Sequence, residues 1–129
     1  MLAVDTNVII RYLTRDDAEQ FARASALIRR EEVFVCTTVL LECEWVLRRA
    51  YRYSRDRIAE ALRSIAGLPH VMLEDPALAL EALDYMEGGM DFADALHLAK
   101  AAGCEAFISF DRQLAATAKR IGAPAVRVP

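Results

Sequence analysis

Short apolar runs alternate along the chain with longer segments in which apolar residues recur at helical spacing. The short runs predict strands and the longer segments predict helices. The predicted strands cover residues 2–5, 33–36, 70–74, 106–109 and about 125–128, and the predicted helices cover residues 7–13, 16–30, 38–51, 55–66, 76–87, 92–102 and 112–121. Strands that alternate with helices pair in parallel and are covered by helices on both faces. The pattern therefore predicts an α/β fold built on a parallel sheet.

Glycine and proline residues stand at several predicted helix boundaries. Gly103 and Gly122 each follow a helical segment and predict its end, and Pro76 suits the first turn of a helix. The chain has 129 residues, no internal repeat and no low-complexity linker. We therefore expect a single domain over residues 1–129.

The composition narrows the class of protein. Hydrophobic residues make up 55% of the chain, which predicts a large core and argues against disorder. No apolar run approaches the ~20 residues of a membrane span, and residues 1–5 lack the features of a signal peptide. We therefore expect a cytoplasmic protein that does not insert into a membrane. The three cysteines form no CxxC pair, which predicts buried, reduced thiols rather than a zinc site.

Four acidic residues, Asp5, Glu42, Asp94 and Asp111, are placed close to the predicted sheet. Asp5 and Asp111 stand at or just after the ends of strands, Glu42 lies in the first turns of the helix after a strand, and Asp94 lies near the start of the helix that leads into strand 106–109. The carboxyl ends of parallel strands share one edge of a sheet, so these side chains should converge there. Two carboxylates about 4 Å apart repel each other by roughly 4 kcal/mol in a protein-like dielectric. Mg²⁺ or Mn²⁺ would neutralise them, because both ions prefer oxygen ligands. The sequence predicts a metal-dependent phosphoryl-transfer site in which these four acids are catalytic residues and ligands of one or two ions.

Further polar residues beside these acids are predicted to support the site. Asp91 opens the helix of the third acid, Thr6 and Asn7 follow the first acid, and Ser109 supplies a hydroxyl before the last. Each also has a purely structural explanation. Asp91 and Asp111 fit helix N-caps, and Thr6 or Asn7 suits the same role.

Glu42 is predicted to lie beside a buried stripe of its helix, formed by Val39, Cys43 and Val46. Glu44, two residues later, should then face solvent. An acid at the inner margin of a helix is either a buried ion-pair partner or a metal ligand, and the three other acids favour the ligand.

A basic and aromatic segment spans the end of the helix that carries Glu42 and the residues just after it. Arginine binds phosphate with two parallel hydrogen bonds, and tyrosine can stack on bases. The net charge of −3 does not by itself favour a nucleic-acid partner, but the arginines are concentrated in this segment. The alternative is a solvated helix end and loop. The candidate contacts to nucleic acid are Arg48, Arg49, Tyr51, Arg52 and Tyr53.

Taken in order, these motifs resemble the PIN-domain ribonucleases, and most of all the small toxins of prokaryotic VapBC toxin–antitoxin pairs. The motifs are Asp5-Thr6-Asn7, Glu42, the segment 91–99 and the segment 109–114. The last motif more often begins with Thr than with Ser109. Both residues supply a hydroxyl group.

This resemblance implies a PIN-like three-layer fold whose five-stranded parallel sheet, in the order 3-2-1-4-5, is flanked by helices. It also implies a Mg²⁺- or Mn²⁺-dependent endoribonuclease that hydrolyses RNA phosphodiester bonds. Such a protein would be the toxin of a type II toxin–antitoxin system, a homodimer, and inhibited by a small cognate antitoxin. The implied acidic quartet is Asp5, Glu42, Asp94 and Asp111, with Asp91 as a supporting acid.

The residues leave alternatives open. A stand-alone PIN nuclease in RNA processing or turnover, without a toxin role, would carry the same motifs. A non-enzymatic interaction domain would use the acids only as caps and ion pairs. A phosphoacceptor receiver-type domain would need a lysine where Phe110-Asp111-Arg112 stands, and a haloacid-dehalogenase-like phosphatase would need aspartate in place of Asn7.

Overall fold

Seven helices and five short strands alternate along the chain in the computed structural model, which describes residues 1–129. The strands are β1 (Leu2–Ala3), β2 (Val33–Val35), β3 (Val71–Leu73), β4 (Phe107–Ile108) and β5 (Val126–Arg127). The helices are α1 (Thr6–Thr14), α2 (Ala18–Arg30), α3 (Thr37–Arg49), α4 (Arg55–Ala66), α5 (Pro76–Glu87), α6 (Phe92–Lys100) and α7 (Arg112–Ile121). The chain divides into two compact units, Met1–Pro76 and Ala77–Pro129, which are described in turn.

The predicted order of strands and helices is confirmed. Helices α4, α5 and α7 have the predicted bounds, and Pro76 opens α5. The strands are shorter than predicted, because regular backbone pairing covers only two or three residues of each apolar run.

The first unit contains a parallel sheet in the order β1-β2-β3. Leu2 pairs with Val33, and Val33 pairs with Val71 on its other side. The central strand is the most buried, since both Val33 and Val35 are inaccessible to solvent. Helices α1, α3 and α4 supply most of the apolar side chains of this core: Ile9, Ile10, Leu40, Leu47, Ile58, Leu62 and Ile65.

The second unit contains the parallel pair β4-β5, in which Phe107 lies opposite Val126. A hydrogen bond of 2.6 Å from Arg120 Nη2 to the carbonyl oxygen of Gly88 ties the end of α7 to the loop after α5. That loop includes Gly89, whose φ of 115° is open to glycine only. It leads directly into Asp91 and α6.

One prediction about the sheet is wrong. Backbone pairing forms a three-stranded sheet and a two-stranded sheet, rather than one five-stranded sheet in the order 3-2-1-4-5. The neighbours β1-β2-β3 and β4-β5 do match the two ends of that order. Strands β1 and β4 are each two residues long and exposed at Leu2 and Ile108, so each offers few backbone groups for further pairing.

The two glycines predicted to end helices behave differently. Gly122 ends α7 in the left-handed conformation, with φ of 73°, and Ala123 N–H donates to the carbonyl oxygen of Ala118 at 2.9 Å. These are the features of a Schellman C-cap. Gly103 does not end a helix, because α6 stops at Lys100 and is capped by Ala101.

The three cysteines are free thiols, as predicted, but they are not all buried. Cys43 is inaccessible to solvent, Cys36 is half-buried and Cys104 is exposed. None of the seven helices combines the length and apolar character that crossing a membrane requires.

The two glycines give a matched test of the C-cap. A Cβ atom at either position meets no atom within 4 Å, so packing does not distinguish them. Only Gly122 has a positive φ, and we expect Gly122→Ala to lower the free energy of unfolding by roughly 1–2 kcal/mol. Gly103→Ala should leave the stability unchanged or raise it slightly, because alanine restricts the unfolded chain. Urea unfolding measures both, and equal effects would contradict this account of the α7 end.

Candidate functional site

Asp5 is the N-cap of α1 and lies in the first unit. Its Oδ1 accepts a hydrogen bond of 2.8 Å from the backbone N–H of Thr6. The preceding Val4 is buried, while Asp5 itself is exposed. The first-turn N–H groups of α1 carry partial positive charge and favour a carboxylate there. One oxygen is therefore held by the helix, while the exposed side chain keeps Oδ2 for a ligand.

Glu42 also lies in the first unit, but not at the predicted inner margin of α3. The buried face of α3 is formed by Leu40, Cys43, Glu44 and Leu47, and Glu42 is exposed beside it. The prediction that Glu44 faces solvent is wrong. Glu44 is only 4% exposed and accepts a hydrogen bond of 2.8 Å from Arg48 Nε, which forms the ion pair that its burial requires.

Cys43 connects these two acids. Its Sγ lies 4.0 Å from the carbonyl oxygen of Thr6, so the start of α1 packs against α3 at this point. Burial, then the charges of Glu42 and Asp5, raise the pKa of the Cys43 thiol to about 12. The thiol is neutral at physiological pH. Asp5 and Glu42 thus both lie near enough to Cys43 for their charges to act on its thiol.

Thr6 and Asn7, predicted as supporting residues, differ in their surroundings. Thr6 is buried, and its Oγ1 has no hydrogen-bond partner, which is an uncommon and costly state for a buried hydroxyl. Asn7 is exposed and lines a groove of about 410 Å³ between α1 and α2, together with Arg11 and Gln20. Of these two side chains, only the Asn7 amide is accessible to a polar ligand near Asp5.

The second unit holds a second group of acids around α6. Asp91 is the N-cap of α6, and its Oδ2 accepts a hydrogen bond of 3.2 Å from the backbone N–H of Asp94. Burial, then the negative charges of Asp91 and Asp111, raise the pKa of Asp94, and nearby His97 partly offsets the shift. Asp91 and Asp111 thus lie near enough to Asp94 for their charges to act on its carboxyl group.

Asp111 is the N-cap of α7, as its structural explanation predicted. Its Oδ1 accepts from the backbone N–H of Leu114 at 3.0 Å, and its own N–H donates to Ser109 Oγ at 3.0 Å. Ser109 thus shapes the turn that presents Asp111. Phe110, between them, is 82% exposed, a feature that the sequence analysis did not single out.

The candidate nucleic-acid contacts lie at the end of α3 and in the loop after it. The hydroxyl of Tyr51 forms two hydrogen bonds, because it donates to Asp16 at 2.6 Å and accepts from Arg11 at 3.2 Å. Arg57 covers the ring of Tyr53 at 3.7 Å from its centroid. Arg48 pairs with Glu44, whereas Arg49 and Arg52 are exposed. The hydroxyl of Tyr51 and the ring of Tyr53 thus already have partners within the protein.

The donor set of the acidic residues fits a hard divalent cation. No lysine or arginine forms a salt bridge with Asp5, Glu42, Asp91, Asp94 or Asp111. Three arginines form salt bridges with other acids: Arg11 with Asp16, Arg48 with Glu44 and Arg127 with Glu105. The side chains do not form a ready-made cluster of three or more metal ligands. Uncompensated carboxylate oxygens are nevertheless the ligands that Mg²⁺ and Mn²⁺ prefer.

The raised pKa of Asp94 yields a stability prediction. The folded protein holds the Asp94 proton more tightly than the unfolded chain, so the ionised side chain destabilises the fold above the folded-state pKa. This destabilisation disappears as the pH falls through that raised pKa towards the model value of 3.8. Without divalent metal, Asp94→Asn should therefore raise the melting temperature at neutral pH and have little effect near pH 3.8.

Asp56 provides the control for this measurement, because it also lies in the first turn of a helix, α4, but outside the acidic group. Asp56→Asn should lower stability slightly, since it loses a favourable interaction with the helix dipole. Thermal unfolding of both variants with a chelator present is the measurement. A destabilised Asp94→Asn protein at neutral pH would show that repulsion does not dominate at α6.

Comparison with known proteins places the whole site within one family. A scan against family models matches the PIN domain over residues 2–126, which include every candidate residue described above. A search of curated proteins found no match.

Proposed function

The chain belongs to the PIN domain family, and on that premise we propose that it is a Mg²⁺- or Mn²⁺-dependent endoribonuclease and the toxin of a type II toxin–antitoxin system. PIN domains are generally metal-dependent nucleases. The observation that carries the proposal is the two groups of carboxylates, Asp5 with Glu42 and Asp94 with Asp91 and Asp111, which no lysine or arginine neutralises.

Asp5, Glu42, Asp94 and Asp111 are the proposed metal ligands, for one or two ions. When bound, the cation would supply positive charge to the scissile phosphate and activate the attacking water. The protein's part is to hold oxygen ligands in fixed positions. Helix capping does this for Asp5 and Asp111, since one carboxylate oxygen of each is bonded to backbone and the other is left for the cation.

Supporting residues would act through these acids. Asp91 orients the first turn of α6 by accepting a hydrogen bond from Asp94 N–H. Its negative charge also repels the Asp94 carboxylate, and a bound cation would offset this repulsion. Ser109 fixes the turn before Asp111. The exposed Asn7 amide is available to a ligand beside Asp5, whereas the Thr6 hydroxyl is buried. The chain needs no protein nucleophile, because water can be the attacking group.

The toxin role rests on the likeness of the ordered motifs to VapBC toxins. In this proposal the protein is a homodimer, its substrate is RNA, and a small antitoxin inhibits it. A protein inhibitor with basic side chains would be complementary to the acids that the fold leaves unpaired.

Asp5→Asn tests the nuclease directly. Asparagine caps helices as well as aspartate does, so α1 should remain intact while a metal-binding charge is lost. We expect RNA cleavage in Mg²⁺ or Mn²⁺ to fall about 100-fold or more. Gel analysis of RNA fragments over a metal titration is the measurement.

Asp17→Asn is the matched control for that experiment. Asp17 caps α2 in the same unit through a 3.0 Å bond from Gln20 N–H, and it lies outside the acidic groups. Its substitution should leave cleavage unchanged. Undiminished cleavage by Asp5→Asn, or cleavage by the wild-type protein in excess chelator, would contradict the proposed function.

Expression in a bacterial host tests the toxin role separately. The wild-type protein should arrest growth, because cleavage of essential RNA stops translation, whereas Asp5→Asn should not. Co-expression of the short gene adjacent to its own should restore growth. Purified protein that cleaves RNA but does not slow growth would support a nuclease of RNA processing or turnover instead.

A further inference from the structure

The outer face of α3 carries a line of exposed side chains that begins at Glu42. With 3.6 residues per turn, Trp45 lies about 60° around the helix from Glu42 and Arg49 lies about 20° around it. Along the axis they follow Glu42 by about 4.5 Å and about 10.5 Å. All three side chains are exposed. They form one face, called here the α3 stripe (Glu42, Trp45 and Arg49).

Trp45 is the only tryptophan of the chain, and 53% of it is exposed. The fold does not require an indole there, because Leu40, Cys43 and Leu47 supply the buried face of α3. Tryptophan at an exposed position offers a large flat surface with one hydrogen-bond donor. Such a surface beside a candidate metal ligand is suited to a planar group of the substrate.

Arg49 lies over this ring at long range. The carbon of its guanidinium group is 6.0 Å from the centroid of the indole, at the outer limit of a cation–π contact. The corresponding distance from Arg57 to the centroid of the Tyr53 ring is only 3.7 Å. Trp45 keeps accessible ring surface, since 53% of the residue is exposed, and the Arg49 guanidinium lies beside it.

We propose that the α3 stripe binds single-stranded RNA next to the scissile phosphate, with one base stacked on Trp45 and a neighbouring phosphate bound by Arg49. This inference rests on the proposed nuclease function and deepens it by naming the residues that hold the strand. Aromatic rings interleaved with arginine are the usual means of binding single strands without base-specific hydrogen bonds. The site therefore selects an unpaired strand rather than a particular sequence.

The cations at one end of the stripe favour RNA as its occupant. Arg49 is exposed at the opposite end of the stripe from Glu42, and Arg52 is exposed three residues further along the chain. Phosphate groups complement both cations. This end of the stripe is thus matched to a polyanion.

Steady-state kinetics with a short single-stranded RNA of mixed sequence test the role of Trp45. Trp45→Ala should raise KM about tenfold or more, the effect of losing one base-stacking platform, and leave kcat nearly unchanged. Trp45→Phe should recover most of the loss, because the ring is restored. Leu80→Ala, which also truncates an exposed apolar side chain, should have no effect on either constant.

Fluorescence provides a second readout, which does not depend on cleavage. Because Trp45 is the only tryptophan, the emission of the Asp94→Asn protein in Mg²⁺ should be quenched when the same RNA is added. The affinity derived from quenching should fall with salt. Arg49→Ala should reduce the slope of log K against log salt by about 0.7, the value for one phosphate contact on a single strand. Arg30→Ala, an exposed arginine at the end of α2, should leave the slope unchanged.

The outcomes separate this inference from the proposed function. If wild-type protein cleaves RNA and Trp45→Ala has the same KM, the α3 stripe does not bind substrate, although the nuclease function stands. If RNA quenches Trp45 but no preparation cleaves it, the stripe binds RNA and the nuclease function fails. If Trp45→Ala changes the mass in light scattering without changing RNA affinity, the stripe is a contact between two copies and the inference is overturned.

Discussion

Helix capping fixes the position of most of the acidic side chains on which this protein depends. Asp5, Asp91 and Asp111 are the N-caps of α1, α6 and α7, and each accepts a backbone N–H through one carboxylate oxygen. A cap is a strong constraint, because the carboxylate can move only if the first turn of the helix loses its hydrogen bond. The structural explanation of these acids and the functional one are therefore compatible. The bond that starts each helix engages only one of the two carboxylate oxygens.

The cost of this arrangement appears as electrostatic strain within each unit. The pKa of Asp94 is raised by burial and by two neighbouring carboxyl groups. The pKa of the Cys43 thiol is raised by burial and by the charges of Glu42 and Asp5. Arginine is abundant, yet its ion pairs are made elsewhere, as in the buried pair of Glu44 with Arg48. Glu44 shows how this fold stabilises an acid that it needs only for structure. The candidate ligands lack that compensation, and a divalent cation would supply it.

Asp91 and Asp111 were predictable as caps from the sequence, because an aspartate before a helical segment has a local signature that packing does not change. The cap of α1 was predicted wrongly as Thr6 or Asn7, whereas Asp5 occupies that position. The face of α3 was not predictable either. Val39, Cys43 and Val46 fit helical spacing as well as Leu40, Cys43 and Leu47 do. Choosing the first set as the buried face led to the wrong prediction that Glu44 is exposed and that Glu42 lies at the inner margin of the helix. The sheet order followed the family resemblance, whereas pairing across two-residue strands depends on contacts that no periodic pattern encodes. Trp45 and Phe110 were missed because exposure of an aromatic residue cannot be read from its type.

The central claim is that Asp5 and Asp94, whose carboxylates no lysine or arginine pairs with, are ligands for a divalent cation. Calorimetric titration of Mn²⁺ into the wild-type protein and into Asp5→Asn, Asp94→Asn and Asp17→Asn measures this most directly. The account predicts that either Asp5→Asn or Asp94→Asn alone abolishes or strongly weakens the binding seen in the wild-type protein, while Asp17→Asn binds as the wild type does. Binding of Mn²⁺ with wild-type affinity and stoichiometry by both Asp5→Asn and Asp94→Asn would contradict it.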